Sequence, residues 1–256
     1  MDRGLVILPT YNERENIANL IKEILAQNLD LDILIVDDNS PDGTGQLVED
    51  LRKNMLARRP PSAVATMVGE GRSFSEGGPQ LFILHRRTKE GLGRAYLAGF
   101  KWALANNYDY IFEMDADFSH QPKYLKDFLS AIKDYDLVIG SRYIKGGGIQ
   151  GWSKIREIIS RLGCFYAQII LGLKINDLTG GFKCYRREVL AEIDLDGVQS
   201  NGYMFQIEMT YKTFKKSFKI KEMPIIFFER SQGKSKFNRK IIWEAIINCW
   251  KLRLGL

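Results

Sequence analysis

YIFEMDADFSHQ, Tyr110 to Gln121, is the stretch whose reading decides the fold. Five residues of mostly apolar character stop at two carboxylates, Asp115 and Asp117, with no helical period. A short buried strand followed by a polar loop reads that way. The pattern occurs twice upstream. Gly4 to Pro9 (GLVILP) runs into Thr10-Tyr11-Asn12-Glu13, and Ile33 to Val36 runs into Asp37-Asp38-Asn39-Ser40-Pro41-Asp42-Gly43. Between these strands the apolar spacing turns helical: Ile17, Leu20, Ile21, Ile24 and Leu25 recur within Glu15 to Gln27. Further helices are expected near 45–55, 93–105 and 122–133, and further strands at 81–85 and 137–139. Alternating strands and helices predict an α/β fold with a mostly parallel central sheet covered on both faces. Ligands of such sheets bind beyond the carboxyl ends of the strands. The three polar clusters should therefore meet along one edge.

Those clusters hold the candidate chemistry. Two carboxylates at i and i+2 on a strand end, Asp115 and Asp117, can aim oxygens at one hard divalent cation, Mg²⁺ or Mn²⁺, alongside substrate phosphates. The Asp37-Asp38 pair can accept hydrogen bonds from the N–H groups of a guanine or uracil base. Asn39, Ser40, Pro41 and Gly43 also spell a turn, and both readings can hold together. Arg142 follows the fifth strand, and Arg230 and Lys236 bracket the loop SQGKS. All three are candidate clamps on a diphosphate. Gly91-Leu-Gly93-Arg94-Ala95-Tyr96 lacks the third glycine of a dinucleotide fingerprint and follows the third strand, so a tight turn or helix start explains it. No phosphate-binding G-x-x-x-x-G-K-[ST] occurs. His85 and His120, the two histidines, sit in no metal spacing or triad.

Composition narrows the class. Lys and Arg number 37 against 31 Asp and Glu, a formal charge of +6 over 256 residues, which suits anionic partners without demanding nucleic acid. Three scattered cysteines, Cys164, Cys184 and Cys249, argue against disulfide or zinc frameworks and for a reducing compartment. The apolar run after Met1 is too brief for a signal peptide, and no stretch approaches the roughly 20 residues of a bilayer span.

Taken together, LPTYNERENI, IVDDNSPDGT, GLGRAYLAGF, MDADFSHQP, GSRY, GWSKIREIISR, DLTGGFKCYRREVL, GYMFQIEM and the ER-x-x-GKSKF loop make the chain resemble the dolichol-phosphate mannosyltransferase group of family 2 glycosyltransferases. The resemblance runs almost throughout; residues 58–80 and the extreme C-terminus match least. It implies the GT-A (Rossmann-like) fold over 1–238, with 58–80 an insertion and 143–175 an acceptor loop and interfacial helix. A C-terminal amphipathic helix follows over 239–256. It also implies GDP-mannose as donor, a polyprenyl or dolichyl phosphate as acceptor, and inversion at the sugar. Pro9, Tyr11, Glu13, Val36 and Asp38 match the nucleoside positions. Asp115, Ala116 and Asp117 match the metal and diphosphate motif, with Arg142, Arg230 and Lys236 as cationic partners. Ser119 stands where some members carry a ligating Gln. Arg156 and Ser160 match positions that meet the acceptor phosphate.

Many relatives carry transmembrane helices that are not found here, so a peripheral protein on the cytoplasmic side of a membrane is expected, with a small membrane-anchored partner as a further hypothesis. Trp152 to Leu173 and Lys240 to Leu254 mix cations with aromatic and aliphatic residues, as interfacial helices do, though core or docking helices fit them too. Rival readings are a glucosyl or other hexosyl transferase, a nucleotidyltransferase, and a noncatalytic basic module binding membranes or nucleic acid. The convergent acidic loops count against the last.

Overall fold

The computed structural model describes residues 2–57, 78–229 and 239–255, with the backbone alone over 239–246. Residues 58–77 of the expected insertion lie outside them. The first half alternates: β1 (Gly4–Thr10), α1 (Arg14–Leu25), β2 (Leu31–Asp37), α2 (Thr44–Ala57), β3 (Leu81–His85), α3 (Leu92–Ala105), β4 (Tyr110–Glu113), a single 3-10 turn (Pro122–Tyr124), α4 (Leu125–Ala131) and β5 (Leu137–Ser141). Then come β6 (Gly148–Gln150), α5 (Lys154–Leu171), β7 (Lys183–Arg186), α6 (Arg187–Glu192), α7 (Gly202–Lys215), β8 (Ile220–Pro224), β9 (Ile226–Phe228) and α8 (Arg239–Leu254).

Seven strands form one sheet in the order β3-β2-β1-β4-β7-β5-β8. β1 lies parallel between β2 and β4, with Thr10 opposite Asp37 and Ile7 opposite Glu113. Successive residues of a strand face opposite sides. Leu5, Ile7, Leu34 and Val36 therefore join one core with α3, α5, α6 and α7. Val6, Leu8, Ile33 and Ile35 join the other with α1, α2 and α4. Apolar residues at every position, rather than every second one, are what a sheet covered on both faces requires.

Two features depart from the simple alternation. β7 runs antiparallel between β4 and β5, pairing Lys183 with both Glu113 and Ile139. Its four residues include a lysine, which disguises a central strand, yet that lysine is fully buried. The stretch 220–228, apolar and β-branched at several positions, forms two strands that break at Ile225. β8 extends the main sheet beside β5, whereas β9 pairs with β6 in a separate ribbon. Pro224 ends β8, where an edge strand tolerates a residue without an N–H. The Ile225 N–H then returns to the Ser141 carbonyl at 3.1 Å.

Helix α3 crosses β1 and β2 at very short range because Gly99 faces them: an added Cβ would lie 2.7 Å from Ile7 Cγ2. Gly163 in α5 is the contrast, since a Cβ there meets nothing within 4 Å. Gly99→Val should therefore destabilise the fold by about 1–3 kcal/mol. Gly163→Ala should stabilise it by about 0.5–1 kcal/mol through helix propensity. Urea denaturation of both variants checks the pair, and equal midpoints would contradict the packing described.

Candidate active site

The carboxyl ends of β1, β2, β4 and β5 open onto one cavity of about 370 Å³. Pro9, Tyr11, Glu13 and Asp38 line it on the β1–β2 side, with Asp115, Ala116, Asp117 and Ser119 in the loop after β4, the next strand of the sheet. Arg142 and Arg156 line the far side. Ten of the sequence-derived candidates thus share one space.

At the β2 end the two aspartates separate in role. Asp37 is buried and structural. It accepts from Thr10 Oγ1 (2.9 Å), the Ser40 N–H (3.0 Å) and Ser40 Oγ (2.6 Å), the turn that the sequence spells. Asp38 reaches the cavity and accepts from Arg86 Nη1 at 2.5 Å, while Arg86 Nη2 holds Glu90. Burial raises the Asp38 carboxyl above its ordinary range, and Arg86 partly offsets it. Tyr11 and Lys89 sit at the mouth, the ammonium 3.5 Å from the ring centroid.

The loop after β4 is tightly wound. Phe118 takes φ 63°, an uncommon conformation for a bulky residue. The Ser119 N–H donates to Asp117 Oδ1 at 3.1 Å. Tyr96, kept protonated by burial and by Asp115, donates its hydroxyl to Asp115 Oδ1 at 3.2 Å. His120 is stacked on Phe182 and buried, which pushes it down to about 4. Its Nδ1 accepts the Asp115 N–H at 3.1 Å, so the neutral ring carries its proton on Nε2. Among the described residues no three His, Cys, Asp or Glu side chains form a complete metal cage. Two carboxylates and a nearby hydroxyl fit a hard cation that completes its shell with substrate phosphate and water.

Both arginines arrive already paired. Arg142 is buried and forks onto Asp177 through Nε and Nη2, each at 2.6 Å, with Thr179 Oγ1 at 2.8 Å from Nη2. Burial alone would raise the Asp177 carboxyl, but Arg142 more than reverses this and leaves it below the usual range. The fork onto Asp177 and Thr179 uses Nε and Nη2, and Arg142 also lines the cavity. Arg156, in the first turn of α5, lies 3.9 Å over the Trp152 ring and bonds Glu229 through Nη1. Gly151 (φ 93°) permits this approach, because a Cβ there would lie 2.7 Å from Glu229 Cβ. Asp177 and Glu229 carry no local signal in the sequence, because their partners Arg142 and Arg156 stand 35 and 73 residues away.

Other candidates fall elsewhere. Val36 is wholly buried in the core, so only its backbone borders the strand end. Ser160 pairs with the Tyr143 hydroxyl at 2.7 Å and does not line the cavity. Arg230 and Lys236 lie outside the described residues.

Residues 5–194 match the family model described as glycosyl transferase family 2. An undecaprenyl-phosphate mannosyltransferase of Micrococcus luteus is 42% identical over 246 residues, 96% of this chain and 92% of that protein. A polyprenol monophosphomannose synthase of Mycolicibacterium smegmatis is 41% identical over 254 residues, 98% of this chain and 88% of that one. Among solved structures, glucosyl-3-phosphoglycerate synthase from Mycobacterium tuberculosis, crystallised with Mn²⁺, UDP-glucose and phosphoglyceric acid, superposes with a TM-score of 0.63 at 16% identity. It covers all of this chain and 80% of that one. That likeness bears on the fold, which is the GT-A type expected.

The Arg142–Asp177 pair yields a stability prediction. Asp177→Asn leaves a buried guanidinium without its counter-charge and should cost about 3–5 kcal/mol. Because the folded carboxyl is depressed, the pair's stabilisation is complete above the unfolded pKa of about 3.9 and fades only in stronger acid. Urea titrations at neutral pH read the loss; a change below about 1 kcal/mol would show that the pair carries no such weight.

Proposed function

The chain belongs to glycosyltransferase family 2 and is a glycosyltransferase, and on that premise we propose that it transfers mannose from GDP-mannose to a polyprenyl or dolichyl phosphate. The products are polyprenyl β-D-mannosyl phosphate and GDP, formed with inversion and with Mg²⁺ or Mn²⁺ bound. What carries the reading is a single cavity with a base-recognising carboxylate, Asp38, at one end and two paired arginines, Arg142 and Arg156, at the other. Asp115 and Asp117 lie between them. Near-full-length relatives named for mannose transfer to undecaprenyl or polyprenyl phosphate support the sugar and acceptor.

The chemistry asks little of a general base. A phosphate monoester has a second pKa near 6 and is largely a dianion at neutral pH. The protein's task is to hold that oxygen in line with the anomeric carbon and to offset phosphate–phosphate repulsion. Asp38 accepts the N–H donors of the base, and Tyr11 and Lys89 border the same end. A bound divalent cation would neutralise charge on the departing diphosphate, with Asp115 and Asp117 as its protein ligands and Ser119 a further candidate. Arg142 and Arg156 receive the acceptor phosphate, with Arg230 and Lys236 assigned to the departing GDP. His120, its Nδ1 occupied by the Asp115 N–H and its basicity lowered by burial, is a poor base, and the scheme asks for none.

An acceptor of this kind resides in a bilayer, so the chain works at a membrane surface, and we assign it to the cytoplasmic side as a peripheral protein. Among the described residues no helix is long and apolar enough to cross a membrane.

Asp117→Ala should lower kcat by about a thousandfold or more in the presence of Mg²⁺ or Mn²⁺, read as lipid-linked sugar by mass. Near-normal turnover would remove Asp117 from the metal site. Running the wild type against GDP-mannose, GDP-glucose and UDP-glucose tests the donor, and preference for a glucosyl nucleotide would overturn mannose. A second variant addresses the acceptor. Arg156 must loosen from Glu229 to meet a dianion, so Glu229→Gln should lower the acceptor KM about three- to tenfold. A raised KM would instead make Glu229 the residue that positions Arg156.

A further inference from the structure

GYMFQIEM, the start of α7, supplies none of the groups named so far, yet it borders the cavity. Gly202, Tyr203 and Gln206 line it together with Gly91, Leu92 and Ala95 from the start of α3. The two helices pack together there, and none of these six residues carries a charge. Leu92 and Tyr203 are exposed. The same corner adjoins the carboxylates of the β4 loop. Phe205 stacks on Tyr96 with ring centroids 6.0 Å apart, and Tyr96 in turn donates to Asp115. An uncharged, mostly apolar surface with one placed amide is the usual make-up of a subsite for a small neutral group.

Gln206 is that amide. It is only 2% exposed. Its backbone is fixed from below, since Lys183 Nζ and Thr210 Oγ1 both donate to its carbonyl at 2.8 Å. Its side chain lies beside the Glu113 carboxyl. Among the described residues, however, neither Oε1 nor Nε2 closes a hydrogen bond of ordinary geometry. A buried amide left in that state costs about 1–3 kcal/mol, part of which a ligand that pairs with it would recover. The chemistry of the ligand follows from the amide, whose oxygen accepts and whose nitrogen donates. A hydroxyl can do both in return. A phosphate dianion offers only acceptors and an ammonium only donors.

We propose that Gln206 reads the hexose of the sugar nucleotide, its amide pairing with a ring hydroxyl while Leu92 and Tyr203 border the less polar face of the sugar. The assignment rests on the transfer proposed above, for which Gln206 is a specificity-determining residue. Discrimination comes from loss: a hexose that turns the hydroxyl away, or lacks it, leaves the buried amide unpaired. Sites built to pair a hydroxyl reject such analogues far more strongly than an apolar pocket rejects a missing methylene.

The test compares the full-length wild type with Gln206→Met, which removes the amide and keeps an unbranched side chain of similar volume. Calorimetry with Mn²⁺ should show GDP-mannose bound about tenfold more weakly by the variant, with GDP bound within about twofold of the wild type. Turnover of GDP-mannose analogues, each lacking one hydroxyl, then identifies the partner. One analogue should lose at least about tenfold in kcat/KM with the wild type and no more than about twofold with the variant, as two changes to one interaction must. Equal losses on GDP and GDP-mannose, or analogue penalties that the substitution leaves unchanged, overturn the assignment and leave Gln206 as a support for Glu113. A wild type that binds neither nucleotide overturns the donor reading and this assignment with it. A wild type that prefers GDP-glucose overturns mannose alone, and the same comparison then runs with GDP-glucose and its deoxy analogues. If Gln206→Met does not fold, Gln206→Asn replaces it, its amide one methylene shorter. The same selective loss on the sugar nucleotide is expected, and wild-type affinity for both nucleotides counts against the assignment.

Discussion

Parallel pairing of β1 with β2 on one side and β4 on the other is the constraint from which the rest of the molecule follows. Buried on both faces, these strands can place charge only where they end. The register then decides which groups meet. Thr10 stands beside Asp37, so its hydroxyl reaches that carboxylate, and Ile7 stands beside Glu113, two residues before Asp115. Sliding β4 by one residue would turn Ile111 and Phe112 to the wrong cores and carry Asp115 off the cavity edge. One register holds the hydrophobic layers and the cavity edge together.

Charge along that edge is compensated from distant parts of the chain. Asp37 is held by Thr10 and Ser40, Asp38 by Arg86, and Asp177 by Arg142. Beneath them Glu113, whose carboxyl burial raises, faces Lys183, whose ammonium burial lowers to about 8. Lys183 also donates to the Gln206 carbonyl at 2.8 Å and to Thr210 Oγ1 at 3.0 Å, joining the sheet to α7. Removing one member of such a pair exposes the full cost of the other, which makes the rim stiff. Stiffness there would suit the proposed transfer, which depends on holding two phosphates in line more than on moving protons.

What was legible in the sequence was whatever depends on neighbours in the chain. Strand ends at Thr10, Asp37 and Asp115 announce themselves by an apolar run broken by carboxylates, and the structure brings all three loops to one cavity. Pairings across long separations left no local mark. Arg142 reads as an open clamp until Asp177, 35 residues later, takes two of its nitrogens. Arg156 finds Glu229 at a separation of 73 residues. β7 is hidden by a lysine whose burial makes sense only once Glu113 is opposite it. Val36 and Ser160 entered by resemblance; the side chain of one is core and the hydroxyl of the other belongs to Tyr143.

Helix α5 joins three environments that a shorter element would keep apart. Ser153 caps its start, accepting the Arg156 N–H at 3.3 Å, and Gly172 ends it in the left-handed region. The first turn is thereby fixed at the cavity while Cys164, Ala167 and Leu171 fix the remainder to the core. With its start capped and one face buried, the direction of its outward stripe, Ile155, Ile158, Leu162, Phe165 and Ile169, is set by the same packing that sets Arg156. Any surface that receives the stripe therefore also sets the depth at which the cavity stands above it. For an acceptor with a charged head and a hydrocarbon tail, that depth matters: too low leaves the head in the headgroup layer, too high pulls hydrocarbon into water. The spacing is written into one rigid helix, and binding need not create it.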